Sequence, residues 1–312
     1  MIQLEHFLRP SQKQLFKRLC KKFNGISLIS KGNFILVHGQ APVLLVAHLD
    51  TVHDKPVCDI CLSPDKNILM SPQGIGGDDR CGVFALCHIF HSAKIKPWLL
   101  FTCNEEIGGL GANSFCLAHK QNLLPKELDA LKFIIEIDRK GKNDAVFYDC
   151  ANSDFENYIT SKGFKTDQGS FSDISLIAPE LGIAAVNLSC GYHNAHSLHE
   201  YINRAELELT IKKLIEIIAD SSRTDFATFR YVKRINLLCS SNKIIPHDNL
   251  PPTETFSYAK KIPASGTTEF QEIYDILLDF YSPNELDSFR AEFGDHILWQ
   301  IYRDEIAPLY LR

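Results

Sequence analysis

Apolar positions along the chain recur in two rhythms. From Ser11 to Phe23 they fall at helical spacing, with Leu15, Phe16, Leu19 and Cys20 on one face and Ser11 placed to cap the first turn. Residues 26–30 and 33–38 read as two short strands joined at Lys31-Gly32, the pattern of a hairpin. Val43-Leu44-Leu45-Val46-Ala47 is an unbroken apolar run, which suits a strand covered on both faces. Pro97 to Phe101, Phe133 to Ile137 and Ile183 to Leu188 are runs of the same kind. Between them the pattern predicts helices over 79–93, 108–117, 155–162 and 203–221, the last capped by Asn203. Alternating strands and helices around continuously apolar strands predict an α/β fold: a three-layer α/β/α sandwich with a mixed, mostly parallel central sheet.

The style of the chain changes near residue 223. Residues 1–222 read as one domain and 223–268 as a linker, whose 241–268 part holds four of the fourteen prolines. A small C-terminal helical extension over 269–312 follows, with helices near 269–280, 283–292 and 295–304. Ser282-Pro283 suits a helix start and Gly294 a helix end. The sequence has no internal repeat.

Composition narrows the function classes. The 33 basic and 38 acidic residues leave a net charge of −5, which gives no basic face for nucleic acid. No stretch reaches the roughly 18–20 apolar residues of a membrane span. The N-terminal stretch lacks the basic start, apolar core and cleavage site of a secretory signal, so a soluble, cytoplasmic protein is expected. The ten cysteines are scattered and read as reduced thiols in the core. Cys58 and Cys61 form one CxxC, with no second pair at zinc-ribbon spacing.

HExxH, GxSxG, GxxxxGK[ST] and GxGxxG are all absent, which argues against a one-helix zinc protease, a serine hydrolase, a P-loop enzyme and a Rossmann dehydrogenase. The chain carries instead a series of polar clusters at predicted strand ends, the edge where open α/β sheets bind ligands. His48-Leu49-Asp50 follows the strand 43–47; residues i and i+2 of an extended segment point the same way, so Asp50 can stand beside His48. Gly76-Gly77-Asp78-Asp79 sets two carboxylates at the start of a helix. Asn104-Glu105-Glu106 and Glu136-Ile137-Asp138 close the next two core strands, and His193-Asn194-Ala195-His196, with Glu200 beyond, follows the last. Singly, each is the ordinary furniture of caps, turns and loop hydrogen bonds. Together, so many carboxylates along one edge repel one another unless divalent cations neutralise them. Mixed histidine and carboxylate donors suit zinc, with manganese or cobalt as alternatives.

The order of the clusters resembles the co-catalytic di-zinc exopeptidases, the superfamily of leucyl aminopeptidase, peptidase T, the tetrahedral aminopeptidases and the carboxypeptidase G and deacylase group. The matching stretches are AHLDTV (47–52), GIGGDDRCG (74–82), CNEEIGGLGA (103–112), IEIDRKG (135–141) and Gly169 to Ile202 with HNAHSLHEYI at its end, within residues 43–202. The resemblance implies two divalent metal ions. His48 and Asp138 would hold one, Glu106 and His196 the other, and Asp78 would bridge both across an unusual peptide bond to Asp79. Asp50 would orient His48, and Glu105 would act as general base on a metal-bridged water. Glu136 shares a strand face with Asp138, and His193 and His199 compete with His196; the His-x-x-x-Glu spacing to Glu200 favours His196.

The intervals say more within that resemblance. His48 and Asp78 are 30 residues apart, and Asp138 and His196 are 58 apart. Neither interval has room for the extra domain that other branches insert, given domains of about 50–250 residues. The layout is that of a bare catalytic domain and tilts the expectation toward an aminopeptidase acting on small peptides. The alternatives are an N-acyl amino acid deacylase or a carboxypeptidase with the same metals, and, from another class, a non-catalytic binding protein on the same scaffold.

Overall fold

The unbroken apolar runs form the centre of an eight-stranded sheet. In chain order its strands are β1 (Ser27–Ser30), β2 (Phe34–Val37), β3 (Ala41–His48), β6 (Pro97–Thr102), β7 (Phe133–Arg139), β8 (Asp144–Val146), β9 (Lys165–Asp167) and β10 (Ala185–Ser189); their spatial order is β1-β2-β6-β3-β7-β10-β8-β9. The four central strands β6, β3, β7 and β10 run parallel. β2 pairs antiparallel with β6 on one side and β8 antiparallel with β10 on the other, which makes the sheet mixed; β1 joins β2 antiparallel and β9 joins β8 parallel. This is the expected α/β/α sandwich. The computed structural model describes residues 3–30, 32–53, 55–234 and the seven positions Tyr274, Leu277, Leu278, Leu286, Asp287, Arg290 and Leu298. The hairpin residue Lys31 lies outside the described residues.

Alternate residues of the strands feed two cores. Ile35, Leu45, Leu99, Phe101, Phe133 and Ile135 face one side, with residues of α2 (Gln12–Lys22), α3 (Gly77–Ser92), α5 (Ser153–Ser161) and α7 (Arg204–Ser221). Phe34, Leu44, Val46, Trp98, Leu100 and Ile134 face the other, with α4 (Leu110–Lys120) and α6 (Ile174–Leu181). Both faces are covered, so β3 and β6 carry no polar alternation. Each fully buried aliphatic or aromatic side chain contributes about 1.5–3 kcal/mol. Ser11 caps α2 through a complete capping box with Gln14, and Asn203 caps α7 by accepting from the Glu206 amide at 3.3 Å. α6 escaped the sequence pattern, because it is short, almost wholly apolar and carries Pro179.

A second, four-stranded antiparallel sheet was also not anticipated. It comprises β4 (Cys61–Leu62), β5 (Ile68–Met70), β11 (Tyr192–His193) and β12 (Tyr201–Asn203), in the order β11-β12-β5-β4. Ile202 pairs with Leu69 across it, which ties the segment before Asp78 to the segment after His196.

The first unit spans Met1–Leu237. Residues beyond α7 stay on it as far as Arg234: the Ala184 amide donates to the Phe229 carbonyl at 2.9 Å, and the Phe229 amide to the Lys132 carbonyl at 2.8 Å. In the second unit, Leu238–Arg312, Tyr274, Leu277, Leu286, Asp287, Arg290 and Leu298 are helical, and Leu277, Leu286 and Leu298 are buried. Each expected C-terminal helix thus contains a described helical residue. The remainder of those helices, Gly294 and the 241–268 loop lie outside the described residues. Among the described residues no helix is long and apolar enough to cross a membrane, and the nine cysteines are all unpaired.

Candidate metal centre

Parallel pairing brings three of the five polar clusters to one edge of the large sheet. His48 ends β3 beside Thr102, which ends β6, and β7 carries Asp138 on the other side of β3. Glu105 and Glu106 follow β6 in a tight turn, in which the Gly108 and Gly109 amides both donate to the Glu105 carbonyl at 3.0 Å. The other two clusters come from the small sheet. Asp78 lies in the first residues of α3, where the backbone is not yet helical, and His196 in the loop between β11 and β12.

Asp78 stands between two imidazoles. Its Oδ1 is 3.1 Å from His48 Nε2, and its Oδ2 is 3.2 Å from His196 Nε2. Around His48 Nε2 also lie Asp138 Oδ1 at 3.6 Å and Glu105 Oε2 at 3.9 Å. Around His196 Nε2 lies Glu106 Oε2 at 3.2 Å. The donor atoms of His48, Asp78 and Asp138 fall within 4.8 Å of one another, and so do those of Asp78, Glu106 and His196. The peptide bond between Asp78 and Asp79 is cis.

A surrounding layer of hydrogen bonds fixes these donors. Asp50 Oδ1 is 3.4 Å from His48 Nδ1, and the Asp50 carboxylate also accepts the Glu105 and Glu106 amides at 3.1 and 3.0 Å. Asp79 turns away from the donors and accepts the His48 amide at 3.2 Å and the Gly82 amide at 2.9 Å. A Cβ on Gly82 would lie 2.5 Å from both Asp79 oxygens, so only glycine leaves room for that carboxylate. The Tyr192 hydroxyl donates to Asp138 Oδ1 at 3.1 Å, and the Asp138 amide donates to Asn187 Oδ1 at 2.9 Å.

The competing residues stand outside the donor groups. His193 Nε2 is 2.7 Å from Glu206 Oε2 and its ring stacks on Tyr201. His199 is exposed and belongs to none of the donor groups. Glu136 is buried, accepts from the Ser172 hydroxyl and belongs to none of the groups either. Glu200 is marked in the sequence only by its spacing from His196. It is fully buried, and it accepts the Gly76 and Asp78 amides at 2.9 Å each while lying 2.9 Å from His53 Nε2.

Burial and mutual repulsion set the protonation of these donors. Burial pushes the Glu105 carboxyl up to about 9, against His48 and with the help of Asp138, Asp173 and Glu106. Burial and the nearby Asp78 charge push Asp138 up to about 7 despite His48. For Asp78, burial is outweighed by hydrogen bonds from His196 and His48, which hold it well below the usual carboxylate range. The bond to Asp78 pushes His196 up to about 9, and burial opposes it. Protons and imidazolium thus offset the carboxylates, a role that divalent cations fill better. Glu106 Oε1 is buried with no hydrogen-bond partner, and His48 Nδ1 has only the Asp50 carboxylate beside it, at an ion-pair distance. Two imidazoles and three carboxylates, with one carboxylate addressed from both sides, fit a pair of zinc-like ions.

No family model matches the chain, and no curated relative matches it. Solved structures do. A tripeptidase from Staphylococcus aureus superposes with a TM-score of 0.54 at 15% identity, covering 70% of this chain and 96% of that one. The aminopeptidase PepT from Bacillus cereus gives 0.53 at 14% identity, covering 70% and 98%. A TET aminopeptidase from a marine sediment archaeon, Thaumarchaeota archaeon, gives 0.50 at 11% identity, covering 67% and 92%. At such identities the likeness is one of fold. These neighbours are tripeptidases and aminopeptidases, in keeping with the superfamily that the sequence resembles.

Proposed function

We propose that the chain is a metal-dependent hydrolase that cleaves amide bonds in small peptides, with two zinc ions, and that it acts as an aminopeptidase in the cytoplasm. The observation that carries this reading is the position of Asp78, whose two oxygens each face a different imidazole. His48 and Asp138 would hold one ion, Glu106 and His196 the second, and Asp78 both. Manganese and cobalt suit the same donors.

When bound, the two ions would supply Lewis-acid polarisation of the scissile carbonyl and a water acidified into a nucleophile. The chain's own residues supply the proton traffic and the positioning. Glu105 takes the proton of the attacking water and returns it to the leaving amine. Asp50 holds His48 in orientation from behind and fixes the main chain of Glu105. Because the 58-residue interval between Asp138 and His196 is taken up by β8, α5, β9, α6, β10 and β11, it leaves no separate lid to grip a substrate carboxylate, which favours an aminopeptidase over a carboxypeptidase.

The test pairs metal analysis with turnover. Purified protein loaded with zinc, manganese or cobalt should hold close to two ions per chain and release amino acids from aminoacyl and short peptidyl substrates. Glu105→Gln should keep both ions and lose about 100- to 10,000-fold in kcat. A protein that takes up no ions would be a binding protein on this scaffold. Selective turnover of N-acyl amino acids would make it a deacylase.

A further inference from the structure

We propose that Glu200 is a positioning residue for the metal centre, and that it works through the main chain of Asp78. The inference rests on the reading of Asp78 as the shared donor.

Glu200 has no exposed surface. A buried carboxylate is unfavourable unless donors surround it, and three do. Its Oε1 accepts the amide of Asp78 itself, and its Oε2 accepts the Gly76 amide and faces His53 Nε2, all at 2.9 Å. Bonds to a carboxylate from amides and an imidazole are among the stronger ones a protein makes. They fall on the main chain of the segment that carries Asp78. The next residue, Asp79, ties the same segment to the end of β3 and to α3 through the His48 and Gly82 amides. Gly77 lets the segment come this close, since a Cβ there would meet Tyr192 Cβ at 2.6 Å and Glu200 Oε1 at 3.3 Å.

An aspartate side chain has only two rotatable bonds, so the direction of its oxygens follows its backbone. Productive sites tolerate displacements of only about 0.5 Å. The Asp78 oxygens must reach His48 and His196 together, and Glu200 fixes the backbone from which they reach. Glu200 also lies four residues after His196, so one short loop sets both the imidazole and the segment that imidazole meets. His53 completes the clamp. Its ring rests on Gly74, where a Cβ would fall 2.3 Å from ring atoms, and little of its side chain is exposed.

Glu200→Gln tests the clamp with almost no change of volume. One oxygen becomes an NH2 group, which must then face a backbone N–H. The expected result is a fall in affinity for both zinc ions together, by about 10- to 100-fold, with kcat reduced and KM nearly unchanged. A merely structural role would lower the melting temperature and leave the zinc affinity of the folded protein as it was. His53→Asn removes one of the three bonds and should give a smaller loss in the same direction, which covers the case of a Glu200→Gln chain that does not fold. Histidine-selective NMR of the metal-free protein provides a readout independent of any ion. The His48 and His196 signals should both move in Glu200→Gln or, at lower amplitude, in His53→Asn. Parent-like zinc affinity, or unmoved His48 and His196 signals, overturns the proposal. A parent chain that binds no zinc would instead sink the hydrolase reading, and the histidine signals would still decide this one.

Discussion

Asp50 Oδ1 accepts the backbone amide of Glu105 at 3.1 Å, while the same oxygen lies 3.4 Å from His48 Nδ1. One carboxylate therefore couples the end of β3 to the turn after β6. Asp50→Asn puts an NH2 group where an acceptor is needed for one of the amides or for the imidazole. The expected loss is about 10- to 100-fold in zinc affinity or in kcat/KM, as for other partners behind metal ligands. Parallel metal titration and kinetics measure it, and a variant with both quantities unchanged would remove Asp50 from the site.

His196 and His193 should separate cleanly. His196→Ala removes a donor shared with Asp78 and Glu106, and bound zinc should fall from about two ions to about one. His193→Ala loses only its pairing with Glu206 and the stack on Tyr201, which should lower stability by about 1 kcal/mol or less and leave two ions. Plasma emission analysis of the dialysed proteins distinguishes them. The reverse pattern would reassign the second ion to His193.

The metal-free protein should grow less stable as the pH rises. Glu105 goes from an ordinary 4.5 to about 9 on folding, and Asp138 from 3.8 to about 7. An acid with a raised folded value favours the folded state fully below its unfolded value, and that contribution is lost as the pH climbs toward the folded value. His196, raised from 6.5 to about 9, works in the same direction. The melting temperature without metal should therefore drop between about pH 5 and pH 9, and saturating zinc should flatten that slope because the ions replace the protons. Calorimetry with and without chelator reads both curves. A metal-free midpoint that rises across this window contradicts the assigned burial of Glu105 and Asp138.

Phe229 tests whether the stretch after α7 is part of the first unit. Its ring lies 5.1 Å from Phe155 and 6.2 Å from Phe133, in a cluster with Tyr158 and Phe226. Phe229→Ala should cost about 3 kcal/mol in urea unfolding, with kcat per folded molecule unaltered. A loss under about 0.5 kcal/mol would mean that the stretch only rests on the surface.

The parts of the fold that were legible are those whose burial leaves a mark in the residues themselves. β3, β6 and β7 are covered on both faces and so read as continuous apolar runs, and α2 and α7 announce their starts with Ser11 and Asn203. β4, β5, β11 and β12 are two or three residues long, too short to show a period, and α6 hides behind Pro179. In the site, His48 and Asp50 were legible as a pair because i and i+2 of a strand share a side. The grouping of Asp78 with His196 was visible only through a family likeness, because the small sheet that joins them has no sequence signature. The contacts of Glu200 were invisible altogether. Two of the three run to main-chain amides 122 and 124 residues away, which carry no side-chain identity to read, and the third to His53, 147 residues away.

The ladder between Leu69 and Ile202 gives the protein a timetable during synthesis. A nascent chain already carries His48, Asp78, Glu105, Glu106 and Asp138 long before Ile202 leaves the ribosome. Until the segment from Glu200 to Ile202 emerges, neither the ladder nor the Glu200 bonds to Gly76 and Asp78 can fasten the late loop against the early one. The donor group of Asp78, Glu106 and His196 should thus come together only in a late step of translation, after that of His48, Asp78 and Asp138.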